Sequence, residues 1–242
     1  MQGRGTLSKP MCGRFALTST PESLAERFGL DPDDTPDFAP RYNVAPGQDV
    51  LAVRADDAGK RCADPLRWGL VPSWADSPAV GGRMINARSE TAASKPAFRD
   101  AFRSRRCIVP ANGFYEWADL GGYRQPYWIA PPSGEVFGFA GLWESWRGGD
   151  GAALETCTLL TTQANARLAT LHARMPVILP RDAYTDWLDT SRAPADFTPL
   201  LAPPGDEALD YHPVGTRVNK VEFDDPSLQE RVAEPPRQQT LF

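Results

Sequence analysis

The sequence predicts an α+β fold: a single domain built on a curved, barrel-like antiparallel β-sheet with a few peripheral helices. Three observations carry this. Short apolar, β-branched and aromatic runs recur along the 242 residues and outnumber the helical patterns. Gly121-Gly122 and Ser133-Gly134 separate successive runs at hairpin spacing. No linker of distinct composition divides the body.

The elements follow in order. Residues 1–10 (MQGRGTLSKP) are polar and unpatterned and read as an N-terminal extension. Residues 12–17 (CGRFAL) read as a strand. Thr20-Pro21-Glu22 opens a helix with Pro at its first position, and Gly29 stops it. An acidic loop (DPDDTPD) fills 31–37, and RYNVAPG at 41–47 reads as a rigid loop. Strand-like runs cover 49–54, 66–71, 83–87, 107–110, 112–118, 126–130, 135–143, 156–162, 176–179 and 209–214. Helical patterns fall near 96–104, 163–171 and 181–188. From about residue 222 the chain turns polar and Pro-containing. The expected organisation is therefore an extension at 1–10, a body at 11–222 and a flexible tail at 223–242.

Composition excludes several classes. There are 26 Lys and Arg against 31 Asp and Glu, a net charge of −5, which excludes a wholly basic nucleic-acid coat protein. A hydrophobic fraction of 41% with seven Trp excludes a disordered chain. No apolar run reaches the length of about 18 residues that a membrane helix needs. No secretory apolar region follows the start, so a cytoplasmic, nucleoid-associated location is expected. The cations are uneven: residues 81–110 hold seven Lys and Arg against two acids, net +5. Such a stretch suits a local anion site, or it is a solvated helix end at Arg103, Arg105 and Arg106.

The four cysteines are Cys12, Cys62, Cys107 and Cys157, with no CxxC pair, and the two histidines are His172 and His212. Zinc spacing is absent, so no metal and no cofactor is expected, and no disulfide framework either. Cys62, Cys107 and Cys157 lie in apolar strand-like contexts and read as buried.

Cys12 differs because Met11 precedes it. A chain started at Met11 and relieved of that Met carries an N-terminal cysteine, with amine and thiol on adjacent carbons. Their reference pKa values, about 7.7–8.0 and 8.5, leave both partly nucleophilic near neutral pH. Such a pair traps an aldehyde, as an imine first and a thiazolidine second. The alternative is an ordinary buried strand cysteine.

In Gly-Phe-Tyr-Glu-Trp, a strand puts Phe114 and Glu116 on one face and Tyr115 and Trp117 on the other. A carboxylate among aromatic rings is stripped of water and suits proton transfer; the alternative is an edge-strand Glu facing water. His172 follows a helix-like stretch and is a candidate for imidazole chemistry or a structural residue, while His212, at a strand end, reads as structural. Asn86-Ala87-Arg88 places an amide and a guanidinium on one strand face, suited to a phosphate or to strand-end hydrogen bonding. Trp68 and Trp74 read as core or rim residues, with an exposed Trp beside a basic groove able to stack on bases.

MCGRF at 11–15, RYNVAPG at 41–47, WGLVPSW at 68–74, INARSET at 85–91, GFYEW at 113–117 and LHARMP at 171–176 together resemble, in order and spacing, the SRAP family of SOS response-associated peptidase-like proteins. The resemblance implies a single α+β domain around a barrel-like sheet and processing of abasic sites. It implies that Cys12 becomes N-terminal and covalently captures an abasic site in single-stranded DNA. Asn86 would orient the amine, Glu116 would shuttle protons, and His172 would assist sugar ring opening. Phosphate contacts fall on Arg14, Arg88 and Arg174, with Thr161 beside them, and a wedge at the abasic gap falls on Pro46 and Trp74. Lys95 stands where an Arg is common in the family. A DNA–protein crosslinking enzyme with Schiff-base chemistry, acting as a monomer, is the leading reading. The alternatives are a thiol or N-terminal-nucleophile peptidase acting on itself or other proteins, and a non-covalent single-strand binder. The ten residues before Met11 require a start at Met11 or a clipped extension. Finally, Gln238-Gln239-Thr240-Leu241-Phe242 resembles a sliding-clamp-binding peptide of the Q-x-x-L-F kind, with Gln238, Leu241 and Phe242 as its contacts.

Overall fold

The computed structural model describes residues 13–56, 58–149 and 151–234. Thirteen strands and four α-helices follow one another among them. The strands are β1 Phe15–Leu17, β2 Arg41–Val44, β3 Asp49–Ala55, β4 Arg61–Trp68, β5 Asn86–Arg88, β6 Arg106–Ala111, β7 Gly113–Asp119, β8 Arg124–Ala130, β9 Phe137–Arg147, β10 Ala153–Gln163, β11 Arg174–Pro176, β12 Ile178–Leu179 and β13 Asp210–Pro213. The helices are α1 Pro21–Phe28, α2 Ser89–Ala92, α3 Arg99–Ser104 and α4 Tyr184–Leu188.

Five strands close on themselves in the order β3-β4-β10-β9-β6 and back to β3. Strand direction cannot alternate around a ring with an odd number of members, so one seam must be parallel. That seam is β4–β10, with Thr156 opposite Arg67 and Cys157 opposite Trp68; the other four pairings are antiparallel. Alternation sends Ala52, Leu66, Cys107, Phe139 and Cys157 into one buried cluster inside the ring. The opposite faces carry Val53, Ile108 and Leu142, which pack with Phe28, Phe102 and Trp187 of α1, α3 and α4. Five strands enclose little space, and these side chains fill it. Arg54 lies on the inner face towards one end, paired with Asp64 at 2.7 Å and Glu155 at 3.1 Å, with its guanidinium 4.5 Å from the Trp143 ring.

A second antiparallel sheet, β13-β8-β7-β1-β2, contributes Phe15 and Phe114 to the barrel cluster. Phe15 meets Trp68 at 5.3 Å between ring centroids, and Phe114 meets Phe139 at 6.0 Å. β10 outlasts the barrel: after pairing with β9 it is flanked at its far end by β5 and β11.

Most expected strands are present, with three differences. RYNV at 41–44 is β2, not a loop, because Asn43 satisfies its amide against the C-terminal segment and frees the backbone to pair. The helical pattern at 163–171 yields only a 3-10 turn, Leu168–Thr170. Residues 223–232, expected within a flexible tail, are anchored to the body. Asp224 accepts from the Asn43 amide at 3.0 Å, Leu228 is buried, and Val232 N donates to Pro213 O at 2.9 Å. Polar, Pro-containing composition concealed these three anchors.

Candidate active site

The far end of β10 organises the site. β5 runs parallel to it, with Leu159 opposite Asn86 and Thr161 opposite Arg88. Paired residues share a sheet face, so Asn86 and Arg88 stand on the face of Leu159, which belongs to the barrel's inner cluster. On the other edge β11 places Arg174 opposite Gln163. Its Nη2 donates to the Thr161 carbonyl at 2.5 Å, and its Nη1 and Nη2 fork onto Glu90 at 2.6 and 2.9 Å. Glu90 lies in α2, two residues beyond Arg88. Arg174 holds the Glu90 carboxyl below its ordinary range.

His172 follows the 3-10 turn, its amide bonded to Leu168 O at 3.0 Å. Its Nδ1 accepts from the Arg174 amide at 3.1 Å. The ring is half-buried.

From the second sheet comes Glu116, in β7 and 3% exposed. It shares the face of Phe114, which packs in the same inner cluster as Leu159. Glu116 and Asn86 therefore stand on strand faces that pack into the same cluster, one from the second sheet and one from the strand flanking the barrel end. Beside Glu116, the Tyr115 amide donates to Arg14 O at 2.9 Å, so the chain enters β1 along β7. Cys12 itself lies outside the described residues, as do Met11, Gln238, Leu241 and Phe242.

The phosphate candidates divide. Arg88 is exposed and forms no ion pair among the described residues. Arg174 is held as above, and Thr161 is fully buried beneath it. Arg14 is turned inward: Nη1 donates to Asn43 Oδ1 at 2.8 Å and to Val218 O at 2.6 Å, and burial pushes its pKa down. The basic stretch at 81–110 is partly structural too. Arg106 is buried and gives its guanidinium to the carbonyls of Phe102, Arg103, Trp187 and Asp189, with its pKa lowered to about 10 by burial. Arg105 pairs with Glu144 at 2.8 Å.

The wedge candidates lie on two loops at one end of β4. Pro46 is exposed in a turn closed by Gln48 N on Ala45 O, where Gly47 takes φ 84° and donates to Trp68 O at 2.7 Å. Trp74 is 62% exposed on the loop that leaves β4. Trp68, by contrast, is core, with Nε1 on Ile85 O at 2.8 Å. His212 is structural, bonded to Gln229 O at 2.8 Å.

Residues 11–221 match the family model described as SOS response associated peptidase (SRAP). The chain belongs to the SRAP family.

Several curated relatives are named abasic site processing proteins. "Abasic site processing protein YoqW" of Bacillus subtilis is 40% identical over 225 residues, 91% of this chain and 99% of its own. The Escherichia coli protein of that name, YedK, is 33% identical over 87% and 95%, and the Gallus gallus one, HMCES, 34% over 78% and 65%. The crystal structure of a Bacteroides thetaiotaomicron protein superposes with a TM-score of 0.82 at 26% identity, covering 92% of this chain and 100% of that one. Two residues of this SRAP chain went unremarked in the sequence. Asn43 is fully buried under the site, and an Asn inside a strand is a signal in itself. Glu90 is charged beside two arginines, within INARSET.

Among the described residues no three His, Cys, Asp or Glu side chains group as metal ligands, and no helix is long and apolar enough to cross a membrane.

Proposed function

We propose that this protein captures abasic sites in single-stranded DNA covalently, through Cys12 exposed as the N-terminal residue. The observation that supports the reading is that Asn86 and Glu116 stand on strand faces packed into one cluster, while the segment leading into β1 runs beside β7 through the Arg14–Tyr115 backbone bond.

The ring-opened abasic sugar presents an aldehyde at C1′. The Cys12 amine adds to it and water leaves, giving an imine. The Cys12 thiol then adds across the C=N bond, its proton passing to nitrogen, and the thiazolidine closes. Glu116, withdrawn from water, moves protons for the dehydration; Asn86 orients the amine; Nε2 of His172 serves ring opening of the sugar. Arg88 and Arg174 bind flanking phosphates, and Pro46 and Trp74 fill the gap left by the missing base, where unstacking costs least. One exposed basic edge suffices for a single strand, so the net −5 charge is no obstacle.

The test mixes mature protein with an oligonucleotide bearing one abasic site. A denaturation-resistant adduct, absent in Cys12→Ala, is the expected result. Peptide cleavage without an adduct points instead to the peptidase reading, and salt-sensitive binding alone to a non-covalent binder. Intact mass of protein from its native cell is expected to begin at Cys12; a chain still beginning at Met1 defeats the mechanism, since an amide nitrogen cannot form the imine. The QQTLF end is proposed to dock a sliding clamp. Removing residues 238–242 should abolish clamp pull-down and spare crosslinking, and undiminished pull-down rejects the idea.

A further inference from the structure

Arg174 is a well-organised guanidinium at the site, yet its terminal fork is already taken. Its side chain is 13% exposed. One Nη2 hydrogen is spent on Thr161, whose carbonyl lies at 2.5 Å and hydroxyl at 3.3 Å. The terminal fork, the edge that faces solvent, meets both oxygens of Glu90. A carboxylate seated bidentately on an arginine fork mimics a phosphate: two oxygens, one negative charge, the same pair of N–H bonds.

Glu90 is built to leave. Its side chain is 45% exposed, so it has room to swing into water. It lies in the single turn of α2, immediately after β5, and its charge also acts on exposed Arg88. Thr161 ties the group together: its strand neighbour is Arg88, and its own carbonyl holds Arg174. One carboxylate thus pairs with Arg174 and lies within the field of Arg88, the two arginines to which the proposed function gives the flanking phosphates.

We propose that Glu90 is a specificity-determining residue, an internal phosphate surrogate that a nucleic-acid strand must displace from Arg174. The idea rests on the reading of Arg174 as a phosphate contact. A lone anion offers one weak contact in exchange for a pre-seated carboxylate and does not repay the loss. A single strand brings several phosphates and an unstacked gap at once, and exchanges Glu90 as part of a larger binding event. The device screens out free phosphate and mononucleotides and favours the polymer.

The experiment uses the full chain and a single-stranded oligonucleotide with one tetrahydrofuran residue, which lacks the C1′ hydroxyl and cannot open to an aldehyde, so binding stays reversible. Glu90→Gln, close to isosteric, is expected to bind it about three- to tenfold more tightly. The slope of log K against log salt is expected to steepen by about 0.7, the value of one extra single-strand phosphate contact. Inorganic phosphate, at constant ionic strength, should compete against Glu90→Gln and scarcely against the wild type. Arg174→Ala should weaken binding, and adding Glu90→Gln to it should give no further gain. If Arg174→Ala weakens binding while Glu90→Gln leaves affinity and phosphate sensitivity unchanged or reduces affinity, Glu90 merely supports the arginine, and the surrogate role is overturned with the phosphate contact intact. If Arg174→Ala leaves binding unaltered, the phosphate contact itself falls, and the surrogate with it. Equal melting temperatures of Glu90→Gln and wild type confirm that folding is not what changed.

Discussion

The amide of Arg174 donates to Nδ1 of His172 at 3.1 Å. Nδ1 also stands 3.2 Å from the Arg174 carbonyl, so in either tautomer this nitrogen is engaged by the Arg174 backbone. The backbone of one site residue thereby occupies one ring nitrogen of another and leaves Nε2 for other partners, and strand β11 begins where this turn ends.

It follows that Nε2 is the working nitrogen. His172→Ala is expected to slow single-turnover crosslinking about a hundredfold at neutral pH, the low end of what a positioned acid–base group supplies. His172→Gln keeps an N–H donor but cannot exchange a proton near pH 7, and it should be as slow. Affinity for the tetrahydrofuran oligonucleotide should stay within about twofold, since no phosphate contact is removed. A Gln variant that crosslinks at the wild-type rate reduces the ring to a hydrogen-bond donor and ends its acid–base role.

Asn43 is fully buried, and its amide donates to Val218, Lys220 and Phe223 carbonyls while its Oδ1 accepts from Arg14. Truncation takes the side-chain donor from the Phe223 carbonyl and an acceptor from Arg14, and leaves the Val218 and Lys220 carbonyls with one donor each. Asn43→Ala should therefore cost about 2–4 kcal/mol by denaturant titration, at the upper end for one polar side chain. Hydrogen exchange should quicken selectively across 216–224, the segment this amide holds down. Uniform loss of protection instead would make Asn43 an ordinary core residue with no special hold on that segment.

Asn43 also marks where the sequence stopped being legible. Glu116 and Asn86 were readable because strand alternation is local: each is placed on its face by neighbours one or two residues away. The parallel seam β4–β10 was not, since it depends on how many strands close the ring, a property no single segment carries. Nor was the inward turn of Arg14 and Arg106, whose acceptors are backbone carbonyls as far away in sequence as Val218 and Trp187. An arginine reads as a surface cation until its carbonyl partners are known. Glu90 sat in plain view within INARSET, but its meaning needed Arg174, 84 residues on, to arrive beside it.

The narrow barrel makes a sharper prediction. A Cβ on Gly141 would lie 2.8 Å from Cys107 Sγ and 3.4 Å from two backbone oxygens. Gly141→Ala should then destabilise by about 1–3 kcal/mol through overpacking. Most of the strain falls on one sulfur, so Cys107→Ala should relieve it, and the double mutant should show a coupling of about 1 kcal/mol in a denaturant cycle. Strict additivity of the two substitutions would place the strain on the backbone instead.

Cys107 gives the barrel a pH dependence. Burial pushes its thiol up to about 12, and Cys157, equally enclosed, is raised well above its usual value. In the unfolded chain a thiol ionises from about 8.5. Between these values the unfolded chain has given up protons that the folded chain keeps, so rising pH pulls the equilibrium towards unfolding, by up to about 1.4 kcal/mol per pH unit for each thiol. Stability from these groups is full below about 8.5 and lost as pH climbs towards about 12. Unfolding free energies at pH 7.5 and pH 10.5 should show the fall, and it should be about 2–3 kcal/mol smaller in Cys107→Ala. The same burial predicts that, in native mature protein at pH 8, a thiol reagent labels Cys12 quickly, half-buried Cys62 slowly and neither barrel cysteine. Rapid labelling of Cys107 or Cys157, or equal alkaline losses in wild type and variant, would mean that the ring opens far more readily than five closed strands allow.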